Sequence, residues 1–130
     1  MESKNAIVTG GTKGIGKAIV KELKGRGYNV IAGESKMGDL SNENGIRQFI
    51  DFIDFDRIDV LINNAAVTKY IPPHEMFDVD DDLFDLIMNV NVKAPFKLIK
   101  KLRNRLNNHG SIINIASVAG ITGVGSNAIY

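Results

Sequence analysis

At 130 residues the chain is long enough for one compact domain with a single core and too short for two. With 44% hydrophobic and 24% charged residues it reads as an ordinary globular protein, and a formal net charge of +1 argues against a molecule built to grip nucleic acid or an anionic membrane. Cysteine is absent, which excludes disulfides, thiolate metal sites and a thiol nucleophile, and fits a reducing, cytoplasmic setting.

No apolar run reaches the length of a signal peptide or a membrane span, and there is no repeat or linker. One domain over residues 1–130 is therefore expected. Ala6-Ile7-Val8 is a brief strand of buried type that runs into glycines at 10, 11, 14 and 16. Ile15, Ala18, Ile19 and Leu23 then recur at helical spacing, and Gly25 and Gly27 mark the helix end. Asn29 to Ala32 reads as a second strand, after which only a few residues near Lys36-Met37-Gly38 are available for another. The outer edge of the sheet should be pared down accordingly.

Ser41 is the expected N-cap of the next helix, whose apolar stripe is Ile46, Phe49, Ile50 and Ile53. Ile58 to Ile62 is a third strand, ending at Asn63-Asn64-Ala65-Ala66. A long helical stretch follows from about Asp80 to Leu106, with a break expected near Pro95, which has no amide hydrogen to donate. Ser111 to Ile115 is a fourth strand, and a glycine-rich loop leads to Tyr130. Apolar strands alternating with amphipathic helices imply an α/β fold, a doubly wound parallel sheet of four to five strands. Such sheets bind ligands at the carboxyl ends of their strands.

The string Thr9-Gly10-Gly11-Thr12-Lys13-Gly14-Ile15-Gly16 stands where a strand turns into a helix. Amides at a helix start suit a phosphate or pyrophosphate, and glycines let it approach. Gly11 to Ala18 nearly matches the P-loop pattern, but Ala18 occupies the place of the magnesium-binding hydroxyl. That substitution argues against phosphoryl transfer. The other reading, Thr-Gly-x-x-x-Gly-x-Gly, is matched without a departure.

Asn63-Asn64-Ala65-Ala66 resembles an Asn-Asn-Ala-Gly motif after a buried strand, with Ala66 in place of glycine. Asp39-Leu40-Ser41, the segment Val90 to Phe96 and the strand end Ile113-Asn114-Ile115-Ala116-Ser117 follow in order, and Tyr130 lies 13 residues after Ser117. Taken together, these strings resemble the short-chain dehydrogenase/reductase family across essentially the whole chain. The resemblance implies a Rossmann-like fold and an NAD(P)-dependent oxidoreductase that moves a hydride between nicotinamide and a carbonyl or alcohol substrate. It assigns acid/base work to Tyr130, a hydrogen bond on the substrate oxygen to Ser117, and a place in a proton relay to Asn91.

Cofactor binding falls, on the same resemblance, to Gly10, Gly11, Thr12, Lys13, Gly14, Ile15 and Gly16, to Glu34 and Ser35 past the second strand, to Asp39 and Leu40, and to Asn64 and Ala65. Glu34 stands where a carboxylate would engage adenosine ribose hydroxyls and favour NAD. Lys13 and Lys36 pull toward the 2′-phosphate of NADP, and the balance is read as NAD.

The family places a lysine four residues after its tyrosine, a position beyond Tyr130. An inactive or weakly active polypeptide is therefore expected, with some apolar surface left open. A non-catalytic dinucleotide-binding fragment or gene remnant is the alternative. The resemblance also admits a homo-oligomer through the long helices. Lys97, Lys100, Lys101, Arg103 and Arg105 read as a solvated helical face, since no aromatic platform accompanies them. Asp78, Asp80, Asp81 and Asp82 complement a helix dipole, His74 and His109 belong to the surface, and no metal site is expected.

Overall fold

A computed structural model describes residues 2–130. Four strands, β1 (Asn5–Val8), β2 (Asn29–Ala32), β3 (Ile58–Asn63) and β4 (Leu106–Asn114), form one parallel sheet in the order β2-β1-β3-β4. The chain winds outward from β1 to β2, then returns to place β3 on the other side of β1. The winding direction therefore reverses between β1 and β3, and the crevice beyond their carboxyl ends is where open α/β sheets take ligands.

Helices cover both faces, as each strand's alternating side chains require. Against one face, Val20 of α1 (Gly14–Gly25) packs with Val8 and Ile62. Against the other, Ile46 and Phe49 of α2 (Glu43–Phe52) and Leu98 and Leu102 of α4 (Ala94–Leu102) enclose Ile7 and Leu61. The end of α1 follows the glycine reading. Gly27 takes φ +85° and donates to the Lys24 carbonyl, while Tyr28 donates to Leu23, the paired bonds of a Schellman motif.

Three expectations need correction. The cap of α2 is Asn42, not Ser41: Asn42 Oδ1 accepts from Gly45 N–H at 2.8 Å, while the Ser41 amide donates to the Asp39 carboxylate. The long helix ends at Leu102, because the chain turns at Arg103 to Arg105 and enters β4 at Leu106, five residues before the expected strand start. The irregularity expected at Pro95 falls one turn earlier. α3 (Asp81–Met88) runs into a wide π turn at Asn89–Lys93, with Ala94 N–H bonded to the Asn89 carbonyl, so Pro95 enters α4 in its first turn, where it need not donate.

The basic cluster is also more structural than its sequence implies. Lys97 and Lys101 pair with Glu43 across the α2–α4 contact, Lys101 at 2.8 Å. Arg105 lies outside the helix and donates to the Ile53 and Phe55 carbonyls at the end of α2. Residues Ser35–Met37 form a single 3-10 turn, which leaves β2 as one edge of the sheet.

A polar belt crosses the amino-terminal end of the strands. Asn29 donates to Asn5 Oδ1 at 3.0 Å, Asn5 N–H to Asp59 at 2.8 Å, and Asn107 to the other Asp59 oxygen at 2.8 Å. The four residues come from β2, β1, β3 and β4 in spatial order. A bulge at Asn107 to Gly110 brings Asn107 into reach, and a Cβ at Gly110 would lie 2.7 Å from the Asp59 carbonyl. Ile112 and Ile113 of β4, and Ile115 just past its end, remain exposed. Among the described residues no helix is long and apolar enough to cross a membrane.

Candidate functional site

The crevice between β1 and β3 is floored by a clamp of short polar side chains. Thr9, buried at the end of β1, accepts through Oγ1 from the amides of Asn64 at 3.0 Å and Ala65 at 2.9 Å. Asn64 returns the contact, its Nδ2 donating to the carbonyls of Thr9 and Gly10 at 3.1 Å each. These bonds join the glycine loop to the segment after β3, and the glycines make room for them. A Cβ on Gly16 would stand 2.1 Å from the Gly10 oxygen and 2.4 Å from Asn64 Nδ2. Gly10 itself has φ +61°, a conformation that side-chain-bearing residues seldom take.

The helix start above this floor is unlike those of α2 and α3, and unlike that of α4, which continues directly from the π turn. Asn42 caps α2 and Asp80 caps α3, but α1 has Lys13 at its N-cap, no side-chain cap and no acidic residue in its first turn. Its free amides, with the positive end of the helix dipole, suit an anionic ligand. Gly14, at φ +52°, has no atom within 4 Å of where a Cβ would be. An open cradle of this kind fits a pyrophosphate.

One cleft of about 1040 Å³ collects most of the residues singled out in the sequence. Gly10, Thr12, Lys13, Gly14 and Ile15 line it from the glycine loop, and Glu34, Ser35, Asp39 and Leu40 from beyond β2. Asn64 and Ala65 form its floor, and Ser117 and Tyr130 stand on its far side. Gly11, Gly16 and Asn91 do not line it. Gly11 packs β1 against β2, where a Cβ would meet Ala32 Cα and the Val8 oxygen at 2.9 Å. Gly16 lies beneath the loop.

Asn91 sits on the π turn with both ends of its side chain engaged. Oδ1 accepts from Val67 N–H at 2.8 Å, and Nδ2 donates to the Val67 carbonyl at 2.9 Å. It therefore fixes the loop after β3, and Val67 lines the cleft. Ser117 Oγ accepts from the Ala119 amide at 3.1 Å, at the entry to the short helix α5 (Ala119–Thr122). Glu34 pairs with Lys36 at 3.2 Å beside the cleft. The Asp39 carboxyl is held below its ordinary value by the Ser41 amide and hydroxyl.

Two residues of the site escape a reading of the sequence. Thr9 is visible there only as a letter beside the glycines, although a hydroxyl between a strand and two glycines is the available signal. Asn127, buried in the loop before Tyr130, has no signal in pattern or spacing. Asn63 pairs with Asn114 across β3 and β4 at 2.9 Å, and its Oδ1 is buried without a partner.

The family model for short chain dehydrogenases matches residues 34–130, and this chain belongs to that family. Among its relatives, the 3-oxoacyl-[acyl-carrier-protein] reductase of Haemophilus influenzae is 34% identical over 95% of this chain and 59% of its own length. That of Escherichia coli is 29% identical over 99% of this chain and 61% of its own. The chain thus spans about three fifths of the length of these relatives.

Solved structures give the same fold. A 3-ketoacyl-(acyl-carrier-protein) reductase from Brucella melitensis, complexed with NADH, superposes with a TM-score of 0.86 at 22% identity, covering 99% of this chain and 63% of its own. A blue fluorescent protein from a metagenomic library, in complex with NADPH, gives 0.81 at 26% identity, covering 96% and 60%.

Proposed function

We propose that this chain acts in an NAD(P)-dependent oxidoreductase of short-chain type, which moves a hydride between nicotinamide and a small carbonyl or alcohol substrate. A single observation carries the reading: one cleft runs from the uncapped start of α1 to Ser117 and Tyr130. Its volume is at the upper end of the roughly 300–1,000 Å³ usual for ligand sites. The named relatives are reductases, and two of the similar structures hold NADH or NADPH.

The amides of Gly14 and Ile15 hold the pyrophosphate, the segment Glu34-Ser35 meets the adenosine ribose, and Asp39-Leu40 meets the adenine. Asn64 and Ala65 support the middle of the dinucleotide. When bound, the nicotinamide group supplies or takes up the hydride. Ser117 orients the substrate oxygen, and the Tyr130 phenol exchanges a proton with it. Asn91 acts at one remove, by fixing Val67 and so the wall of the cleft. The Asn91 side chain, both ends of which are taken up by Val67, favours a second reading, a dinucleotide-binding module without turnover.

Titration with NADH and NADPH, followed by coenzyme fluorescence, tests the shared claim. Saturable binding is expected, and its absence from folded protein would overturn both readings. A carbonyl-reduction assay on the same sample separates them.

A further inference from the structure

Three polar residues are buried among the described residues: Thr9, Asn63 and Asn127. The first two belong to the sheet ends around the glycine loop. Asn127 lies in the irregular segment between α5 and Tyr130, where the function proposed above makes no use of it.

Its side chain is occupied at both ends. Oδ1 accepts from the amides of Ile129 at 2.9 Å and Tyr130 at 2.8 Å. Nδ2 donates to the Lys69 carbonyl at 2.8 Å and to Thr68 Oγ1 at 3.1 Å. Beside it, the Ser126 carbonyl accepts from Ile71 N–H at 2.6 Å, and the Ser126 and Thr68 hydroxyls are bonded to each other. Loop residues 67–71 are therefore held twice, by Asn91 through Val67 and by Asn127 through Thr68 and Lys69.

We propose that Asn127 is the positioning residue of Tyr130, setting where its phenol stands in the cleft relative to Asn91. An acceptor that takes the amides two and three residues ahead has N-cap geometry, which fixes the backbone from Ala128 to Tyr130. The donor end moors that turn to the loop that Asn91 holds. Asparagine supplies a donor and an acceptor on one short side chain; aspartate has only acceptors, and alanine has neither. The importance of the phenol rests on the function proposed above, whereas the mooring does not.

The test uses the full chain with Tyr28→Phe and Tyr70→Phe, so that a carbon-13 label at tyrosine Cζ reports Tyr130 alone. Asn127→Ala should speed hydrogen exchange at the Ile129 and Tyr130 amides on the order of tenfold, the factor one net hydrogen bond represents. The Leu61 amide should be unaffected, and the phenol resonance should move to the position of free tyrosine. Asn127→Asp should restore protection of both amides without restoring the phenol resonance, because the Lys69 bond is still lost.

An unchanged phenol resonance in Asn127→Ala would overturn the proposal, as would full recovery of that resonance in Asn127→Asp. Should the alanine variant fail to fold, the aspartate variant decides alone. If NADH and NADPH fail to shift the resonance of the otherwise unaltered protein while Asn127→Ala still does, the functional reading falls and the mooring stands.

Discussion

Thr9 and Asn64 hold each other through two separate bonds, amide to hydroxyl at 3.0 Å and side-chain nitrogen to carbonyl at 3.1 Å. The pair joins the ends of β1 and β3 where the winding of the sheet reverses, so the floor of the cleft depends on it.

Removing one partner tests that dependence. Thr9→Val keeps the shape and loses the acceptor for the Asn64 and Ala65 amides. A buried donor left unpaired costs about 1–3 kcal/mol, and urea denaturation should show a loss of at least that size. Thr9→Ser keeps the acceptor and should recover most of it. A loss in Thr9→Ser with none in Thr9→Val would show that the methyl group, rather than the hydroxyl, matters.

The glycines of the loop should divide by what a methyl group meets. In Gly16→Ala the new carbon falls 2.1 Å from the Gly10 oxygen, so α1 must shift, and overpacking of this kind costs roughly 1–3 kcal/mol or more. At Gly14 the new carbon enters open cleft, and the stability cost is limited to backbone strain of roughly 1–2 kcal/mol at φ +52°. Affinity should show the opposite order to stability, because the Gly14 methyl occupies the proposed pyrophosphate site. Thermal melts and coenzyme titrations on both variants check the split.

Coenzyme preference should respond to Glu34. Its carboxylate lies beside the cleft and is paired with Lys36, so Glu34→Ala removes a repulsion toward a 2′-phosphate and frees a lysine to attract one. The ratio of NADPH to NADH affinity should rise, measured by parallel fluorescence titrations. An unchanged ratio would remove Glu34 from the ribose site.

Acid should loosen the contact between α2 and α4. Hydrogen bonds from Lys101 and then Lys97 lower the Glu43 carboxyl from its ordinary 4.5 to about 2. A carboxyl depressed in the folded state contributes fully above its unfolded value, and that contribution is lost as pH falls from about 4.5 toward 2. Asp59, lowered by the Asn5 amide and the Asn107 side chain, works in the same direction. In urea titrations at pH 7 and pH 3, the gap between wild type and Glu43→Gln should narrow in acid. A gap of constant size would show that the ion pairs contribute nothing.

The strands and the glycine loop were legible because short apolar runs ending in glycine or asparagine leave few other folds open. Helix ends were less so. Ser41 and Asn42 are both good caps, and only the Asp39 carboxylate, by taking the Ser41 amide, decides for Asn42. The start of β4 was hidden because Asn107 to Gly110 looks like a turn, yet it forms a bulge pinned by Asp59 from a different strand. Asn127 was invisible for the same reason: its partners lie nearly sixty residues away, at Thr68 and Lys69.

The belt of Asn29, Asn5, Asp59 and Asn107 lies at the end of the sheet away from the cleft. Like a fan riveted at its handle, the sheet has its register fixed there, while Thr9 and Asn64 join two of its blades at the rim. The alignment of the strands therefore does not rest on the loops that carry Ser117 and Tyr130, and a change in those loops leaves the apolar interior in place.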